Sequence, residues 1–200
     1  MTRWRGLTIG AAILLTCGLI YAFASQLFSA EKCPIDIEGY QYLPKGQRVY
    51  DFYLNTTQID VSSEGGGVIC CILLPRKWRA SLFVDVRWSV WDWSEVSNED
   101  LGRSDGEKPR QLAIYRARVP VERYGELGRV YVHVFEGGRV RIVPSQYGPS
   151  HEESPVKPGD PLATFNATQG TLVTELFTKE EHALREREYK ENRKKYGDWR

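Results

Sequence analysis

The chain has 200 residues, with 27 Lys plus Arg, 26 Asp plus Glu and a formal net charge of +1. This balance argues against nucleic acid as a partner, because a phosphate backbone attracts an excess of basic charge. Hydrophobic residues make up 42% and charged residues 26% of the chain, which allows a packed core and excludes wholesale disorder. Six Trp and 11 Tyr against one Met favour strands and binding surfaces over a helical bundle.

The N-terminus predicts placement in or across a membrane. Arg3 and Arg5 precede an uncharged stretch, residues 7–28, which is long enough for a helix that crosses a bilayer in about 20 apolar residues. Two alternatives stay open, namely a cleaved signal peptide and a lipidation site at Cys17. All three place residues 31–200 outside the cytoplasm.

Three cysteines follow this segment: Cys33, Cys70 and Cys71. Adjacent residues of a strand point to opposite faces, so only one of Cys70 and Cys71 readily faces a given partner. In an oxidising compartment we expect a disulfide from Cys33 to one of them. A metal site is disfavoured, because the sequence has no C-x-x-C pair and no histidine nearby.

Strands are predicted through most of the chain that follows. The run at residues 68–74 is apolar on both faces, which is typical of a central strand covered on both sides. Strands are also expected at 48–54 and 59–61, and a polar loop at 94–109. Two further strands alternate cleanly, with core sets Leu82, Val84, Val86, Trp88, Val90 and Ala113, Tyr115, Ala117, Val119.

Residues 129–143 predict a hairpin. A two-residue turn would give both strands mixed faces, whereas a loop of residues 136–138 pairs Val134 with Val140 and gathers the apolar side chains on one face. We therefore expect the three-residue loop, with Gly138 in the left-handed region.

The last part of the chain predicts an irregular connector at 144–161, a short strand at 171–174 and a charged helix that begins after Thr178. The fold class is thus mainly β, an antiparallel sheet or β-sandwich-like domain with an N-terminal membrane helix and a C-terminal charged α-helix. The expected organisation is a membrane segment at 1–30, a β-rich domain at 31–162, and a short strand and helix at 163–200.

The sequence gives no strong indication of catalysis. The three histidines, at positions 133, 151 and 182, lack metal-ligand spacing and lie in no nucleophile motif, and there is no phosphate-binding loop and no H-E-x-x-H. We therefore expect a binding protein rather than an enzyme, and no cofactor.

Two surfaces are candidates for partner binding. The polar faces of the predicted strands carry basic and aromatic side chains: Arg87, Arg116, Arg118, Arg139 and Arg141, with His133 and Tyr131 among them. If these strands share a sheet, they form an arginine-rich face suited to carboxylate or phosphate groups. A second candidate is aromatic, because Trp91 and Trp93 lie on the otherwise polar face of their strand, and Trp and Arg are frequent hot-spot residues.

The chain resembles a bacterial family of exported, often lipid-anchored proteins that is known as a domain of unknown function. The resemblance rests on four elements: Gly39-Tyr40, the Gly-Gly-Gly-x-x-Cys-Cys run at 65–71, the strand at 84–88, and the hairpin at 130–140. Members of this family resemble proteins whose genes lie beside the genes for secreted lipase toxins of type VI secretion systems. This implies an immunity protein that binds such a toxin in the periplasm, anchored to the inner or outer membrane. The alternative function is a structural or ligand-binding envelope module that recognises lipid headgroups or glycan.

Overall fold

The structure is a computed structural model that describes residues 31–100, 103 and 105–196. It contains two β-sheets and one α-helix, so the prediction of a mainly β fold with a C-terminal helix is confirmed. The predicted membrane segment at 1–30 lies outside the described residues. Within those residues, no helix is both long and apolar enough to span a membrane.

The elements in chain order are β1 Lys32–Tyr42, β2 Gln47–Leu54, β3 Thr57–Ile59, β4 Val61–Ser62, β5 Ile69–Pro75, β6 Phe83–Asp92, β7 Arg110–Pro120, β8 Arg129–Phe135, β9 Arg139–Ser145, a 3₁₀ turn Pro161–Thr164, β10 Thr168–Gln169, β11 Thr171–Val173 and α1 Lys179–Tyr196.

The first sheet is mixed, in the order β10-β9-β8-β1-β4, and β5 also pairs with β1. Strand β1 runs parallel to β8 and β4 and antiparallel to β5. The predicted antiparallel arrangement is therefore confirmed only in part, because this sheet is mixed. Strand β1 itself was not predicted, because Gly39 and Gln41 occupy inward positions where a sequence pattern would show apolar residues. A side chain at Gly39 would collide with the backbone of Asp60 and with Val61, so the close approach of β4 requires glycine there.

The second sheet is antiparallel, in the order β11-β7-β6-β2-β3. Side chains from both sheets form a single hydrophobic cluster between them. Val86 and Trp88 from β6 are fully buried in it, as are Val132 and Ile142 from the hairpin. The predicted inward sets of these strands are therefore confirmed except for Ala113, which is not part of this cluster. The two sheets pack as a sandwich.

The β8–β9 hairpin has the predicted register. Val134 pairs with Val140 and Phe135 with Arg139, which leaves the loop at residues 136–138. Gly138 has a φ of 75°, in the left-handed region. A Cβ atom at this position would also collide with the ring of Tyr115, so glycine is required there both by the backbone and by packing.

Strand β5 is an edge strand, and its predicted central position is wrong. Among the described residues it pairs only with β1. One face packs Ile72 and Leu74 into the core, while Leu73 on the other face is 59% exposed. The apolar run thus combines a buried face with an exposed apolar face.

Helix α1 begins with the predicted capping box. The backbone N–H of Glu181 donates to Thr178 Oγ1 at 3.2 Å, and the N–H of Thr178 donates to Glu181 Oε2 at 2.9 Å. The same Glu181 accepts two hydrogen bonds from Arg87 on β6, at 2.6 and 2.8 Å. The start of the helix is therefore fixed to the outer face of the second sheet.

Candidate binding cleft

Three aromatic side chains form an open cleft at one end of the second sheet. The ring centroid of Tyr50 lies 5.8 Å from that of Trp91 and 6.4 Å from that of Trp93. Tyr50 is 62% exposed, and both tryptophans are partly exposed. We refer to Tyr50, Trp91 and Trp93 and the two cavities that they line as the aromatic cleft.

A β-bulge turns Tyr50 towards this surface. In the pairing of β2 with β6, Val49 lies opposite Val90 and Phe52 lies opposite Trp88. Two residues of β2 therefore oppose the single residue Ser89 of β6, which defines a bulge. The bulge lets Val49 and Phe52 both point into the core, although regular alternation would place them on opposite faces.

Hydrogen bonds hold Trp91 in place. Its indole Nε1–H donates to Ser89 Oγ at 2.8 Å, and the Ser89 hydroxyl donates to Asp51 Oδ2 at 3.2 Å. The Ser89 side chain that joins the two bonds is buried, so water has little access to its hydroxyl. Trp91 thus loses little conformational freedom when a ligand binds, which favours affinity.

Two adjoining cavities make up the cleft. The larger has a volume of about 410 Å³, and the smaller, of about 160 Å³, is lined by Tyr50, Trp91, Trp93 and Pro109. Tyr50 and Trp93 line both cavities. The larger cavity is also lined by Gln41, Arg48, Val49, Asp60, Val61, Ser62 and Ser63. An aromatic wall therefore adjoins a polar one, an arrangement typical of ligand sites.

Charge in the larger cavity comes from Arg48 and Asp60. The Arg48 guanidinium carbon lies 5.5 Å from the ring centroid of Trp93, at cation–π distance. Trp93 Nε1 is buried and has no hydrogen-bond partner among the described residues. A buried donor without a partner is costly, and a ligand or water that accepted this hydrogen bond would relieve the cost.

The described residues that line the cleft include few ionisable groups. They include one carboxylate, Asp60, and neither a histidine nor a cysteine. The lining residues of the larger cavity provide aromatic stacking surfaces, one cation, one anion, one side-chain amide and three hydroxyls.

The predicted arginine-rich face is divided between the two sheets. Arg87, Arg116 and Arg118 lie on β6 and β7 of the second sheet, whereas Arg139 and Arg141 lie on β9 of the first. The condition for a single basic surface, that these strands share one sheet, is therefore not met.

Two of these arginines are buried in ion pairs. Arg141 is 6% exposed, and its guanidinium donates to both carboxylate oxygens of Glu122, at 2.6 and 2.8 Å, and to the carbonyl of Ala163 at 2.7 Å. Arg87 is also buried, and it binds Glu181 and the carbonyl of Leu176. Arg87 and Arg141 are thus enclosed and do not belong to an exposed polar face, because later segments of the chain cover both sheets.

The other three arginines remain at the surface to different extents. Arg118 is exposed, with its guanidinium carbon 5.2 Å from the ring centroid of Phe83. Arg116 is about half exposed and lies 3.5 Å from Glu181. Arg139 is partly exposed and donates to the carbonyl of Glu136 at 3.1 Å.

His133 and Tyr131 are buried under the segment that follows β9. His133 is 1% exposed, and its Nδ1 lies 3.0 Å from the hydroxyl of Tyr42. Burial, assisted by the charge of Arg141, lowers the pKa of His133 to about 3, so the ring is neutral. Burial also raises the pKa of Tyr42 to about 12. These residues stabilise the outer face of the first sheet and are not accessible to a partner.

The cysteines also differ from the expected pairing. The structure joins Cys70 to Cys71, while Cys33 is a free thiol. In the register of β1 with β5, Cys33 lies opposite Leu74. Cys33 is therefore several positions away from the two cysteines with which a bridge was predicted.

Of the predicted site residues, the structure brings only Trp91 and Trp93 together in the cleft. Sequence reasoning did not identify Tyr50, Arg48 or Asp60 as their companions. The sequence contained one indication for Tyr50. Val49 and Phe52 are both apolar although they are three positions apart, and this break in the alternation of a strand indicates a bulge between them. The sequence contained no comparable indication that β4 lies close to β2.

This two-sheet β domain with an aromatic cleft corresponds to a known sequence family over about half of the chain. Residues 44–142 match the family described as a protein of unknown function (DUF3304), so the chain contains a DUF3304 domain. The matched region includes the whole aromatic wall of the cleft and the β8–β9 strands up to Ile142. No curated protein and no solved structure matches the chain.

Proposed function

We propose that this protein acts by binding, without enzyme activity, and that it is an immunity protein that blocks a secreted antibacterial lipase toxin in the periplasm. The observation that carries the proposal is the aromatic cleft. Trp and Tyr are the residues most often found at the energetic centre of protein interfaces, where they fill pockets of the partner or receive its side chains. The resemblance to proteins encoded beside lipase toxins gives the partner its class.

The polar surroundings of the cleft also suit a protein partner. An interface needs a desolvated aromatic centre and a rim of charged and hydroxyl groups that exclude water. Tyr50 and the two tryptophans provide the centre, and Arg48 and Asp60 lie beside them. In this proposal, the protein is attached to the inner or outer membrane through its N-terminus and presents the cleft to the toxin.

The test is a binding and inhibition experiment with a lipase encoded next to the gene for this protein. We expect a one-to-one complex that suppresses phospholipid hydrolysis in a vesicle assay. Tyr50→Ala should weaken the complex at least tenfold, about 1.4 kcal/mol, without changing the Tm. The matched control is Tyr189→Ala, which removes an exposed aromatic side chain from α1, away from the cleft. If both variants lost binding equally, or if neither variant lost binding, the assignment of the cleft as the binding site would be contradicted.

A second candidate function is a module that recognises glycan or lipid headgroups in the envelope. The favouring observation is the polar wall of the larger cavity, where Asp60, Ser62 and Ser63 adjoin the exposed ring of Tyr50. Sugar rings stack on aromatic faces while carboxylates and hydroxyls bind their OH groups. Titration of tryptophan fluorescence with envelope oligosaccharides tests this function, and salt-sensitive binding to anionic vesicles would indicate headgroups instead.

A further inference from the structure

A second β-bulge brings the two adjacent cysteines together. In the pairing of β1 with β5, Ile35 lies opposite Ile72 and Ile37 lies opposite Ile69. Two residues of β5, Cys70 and Cys71, therefore oppose the single residue Asp36 of β1. A bulge interrupts side-chain alternation and is a common device for redirecting side chains at functional sites.

The bulge places three metal-ligating groups around one point. The Sγ atoms of Cys70 and Cys71 and a carboxylate oxygen of Asp36 all lie within 4.8 Å of one another. Asp36 and Cys70 are exposed and Cys71 is partly exposed, so an ion from solution reaches all three. A tetrahedral Zn²⁺ with bonds of about 2.0–2.3 Å holds its ligand atoms about 3.3–3.8 Å apart. The two sulfur atoms are bonded to each other in this structure, so they can reach that spacing only after the S–S bond is broken.

We propose that Asp36, Cys70 and Cys71 form a binding site for one thiophilic divalent cation, with Zn²⁺ as the type ion, when the two cysteines are reduced. Two thiolates and a carboxylate are suitable ligands for Zn²⁺, and the thiolates disfavour Mg²⁺ and Ca²⁺, which prefer oxygen. The fourth coordination position is left for water or for a side chain of a bound partner. This proposal is independent of the function assigned to the aromatic cleft.

The oxidation state of the pair controls the site. The Cys70–Cys71 disulfide of the structure has no thiolate to offer a metal. A dithiol reductant transfers two electrons and two protons to it, so that the S–S bond breaks, two thiols form and the reductant becomes a disulfide. Binding of Zn²⁺ then displaces the two thiol protons.

The experiment compares the oxidised and the reduced full chain. The protein is reduced with a phosphine, freed of reductant without oxygen and titrated with Zn²⁺ against a chromophoric chelator. We expect one Zn²⁺ per reduced chain and none per oxidised chain. Co²⁺ in place of Zn²⁺ should give a sulfur-to-metal charge-transfer absorption band. A reduced chain that binds no Zn²⁺, or an oxidised chain that binds as much, overturns the proposal.

Three variants identify the ligands. Cys70→Ser should weaken Zn²⁺ binding at least 100-fold and remove most of the charge-transfer band, and Asp36→Asn should weaken binding about tenfold with the band retained. The matched control is Cys33→Ser, which removes the nearby free thiol of β1 and should leave both measurements unchanged. Unchanged binding in Cys70→Ser or in Asp36→Asn, or lost binding in Cys33→Ser, contradicts the assigned ligand set.

Discussion

Arg141 has a structural role, and its removal should destabilise the fold strongly. Arg141→Ala deletes a guanidinium that makes three hydrogen bonds, two to Glu122 and one to the carbonyl of Ala163. Breaking a buried ion pair from one side costs about 3–5 kcal/mol, because the remaining charge has no partner. The side chain of Glu122 is 24% exposed, so water partly solvates it and the lower end of that range applies.

We therefore expect Arg141→Ala to lower the free energy of unfolding by about 3 kcal/mol. At about 2–4 °C per kcal/mol for a chain of this size, the Tm should fall by about 6–12 °C. The assay is urea unfolding followed by tryptophan fluorescence, with thermal unfolding in parallel. The matched control, Arg139→Ala, removes a partly exposed arginine from the same strand and should change the free energy of unfolding by no more than about 0.5 kcal/mol.

A double variant separates the lost charge pair from lost packing. Arg141→Met with Glu122→Gln keeps most of the side-chain volume and leaves no unpaired charge, so it should be more stable than Arg141→Ala. If Arg141→Ala unfolds within about 0.5 kcal/mol of the native chain, the pair contributes no net stability. Arg141 would then have to be considered again as a residue for partner binding.

Three further predictions concern pH and the hairpin loop. Because the pKa of His133 is lowered to about 3, only the unfolded chain binds a proton at this residue between about pH 6.5 and 3. Stability should therefore fall as the pH falls through that range, and His133→Gln should flatten this slope in pH-dependent unfolding. The pKa of Glu181 is lowered to about 2, chiefly by its hydrogen bonds from an arginine. Its stabilising effect should therefore be lost as the pH falls from about 4.5 to 2, and Glu181→Gln should show a smaller acid loss than the native chain. Gly138→Ala should destabilise the fold by about 2–4 kcal/mol and Gly137→Ala by only about 1–2 kcal/mol: both glycines have positive φ, but only a Cβ at Gly138 meets the ring of Tyr115. Equal losses of unfolding free energy in the two variants would contradict the predicted clash.

The alternation of apolar residues was sufficient to predict the regular parts of the fold. Val84, Val86 and Trp88 repeat at every second position, and the register of the hairpin followed from which pairing buries its valines. In such strands the core face is determined by side chains that are close in the chain. Pairing between distant strands, such as β1 with β8, depends on contacts that no local pattern reveals.

The candidate site was predicted less well, because both bulges depend on tertiary pairing. Trp91 was identified from its position on a polar face, but Tyr50 joins it only through the bulge opposite Ser89. Adjacent residues such as Cys70 and Cys71 point to opposite faces in a regular strand, but β5 has a bulge at these two positions, so the prediction does not apply there. Arg87 was misjudged for another reason: α1, almost a hundred residues later in the chain, covers the face on which it lies.

The parallel pairing of β1 with β8 has a consequence for how the chain is made. The two strands are joined residue by residue from Ile37 with Val130 to Tyr42 with Phe135, about 90 positions apart in the chain. During synthesis, β1 leaves the ribosome long before β8 has been made. The edge of β1 that pairs with β8 therefore has no hydrogen-bond partner in the sheet until β8 follows. Folding of the first sheet therefore waits for about two thirds of the chain. Until then, the unpaired edge of β1 is open to aggregation, and the exposed Leu73 of β5 adds apolar surface beside it.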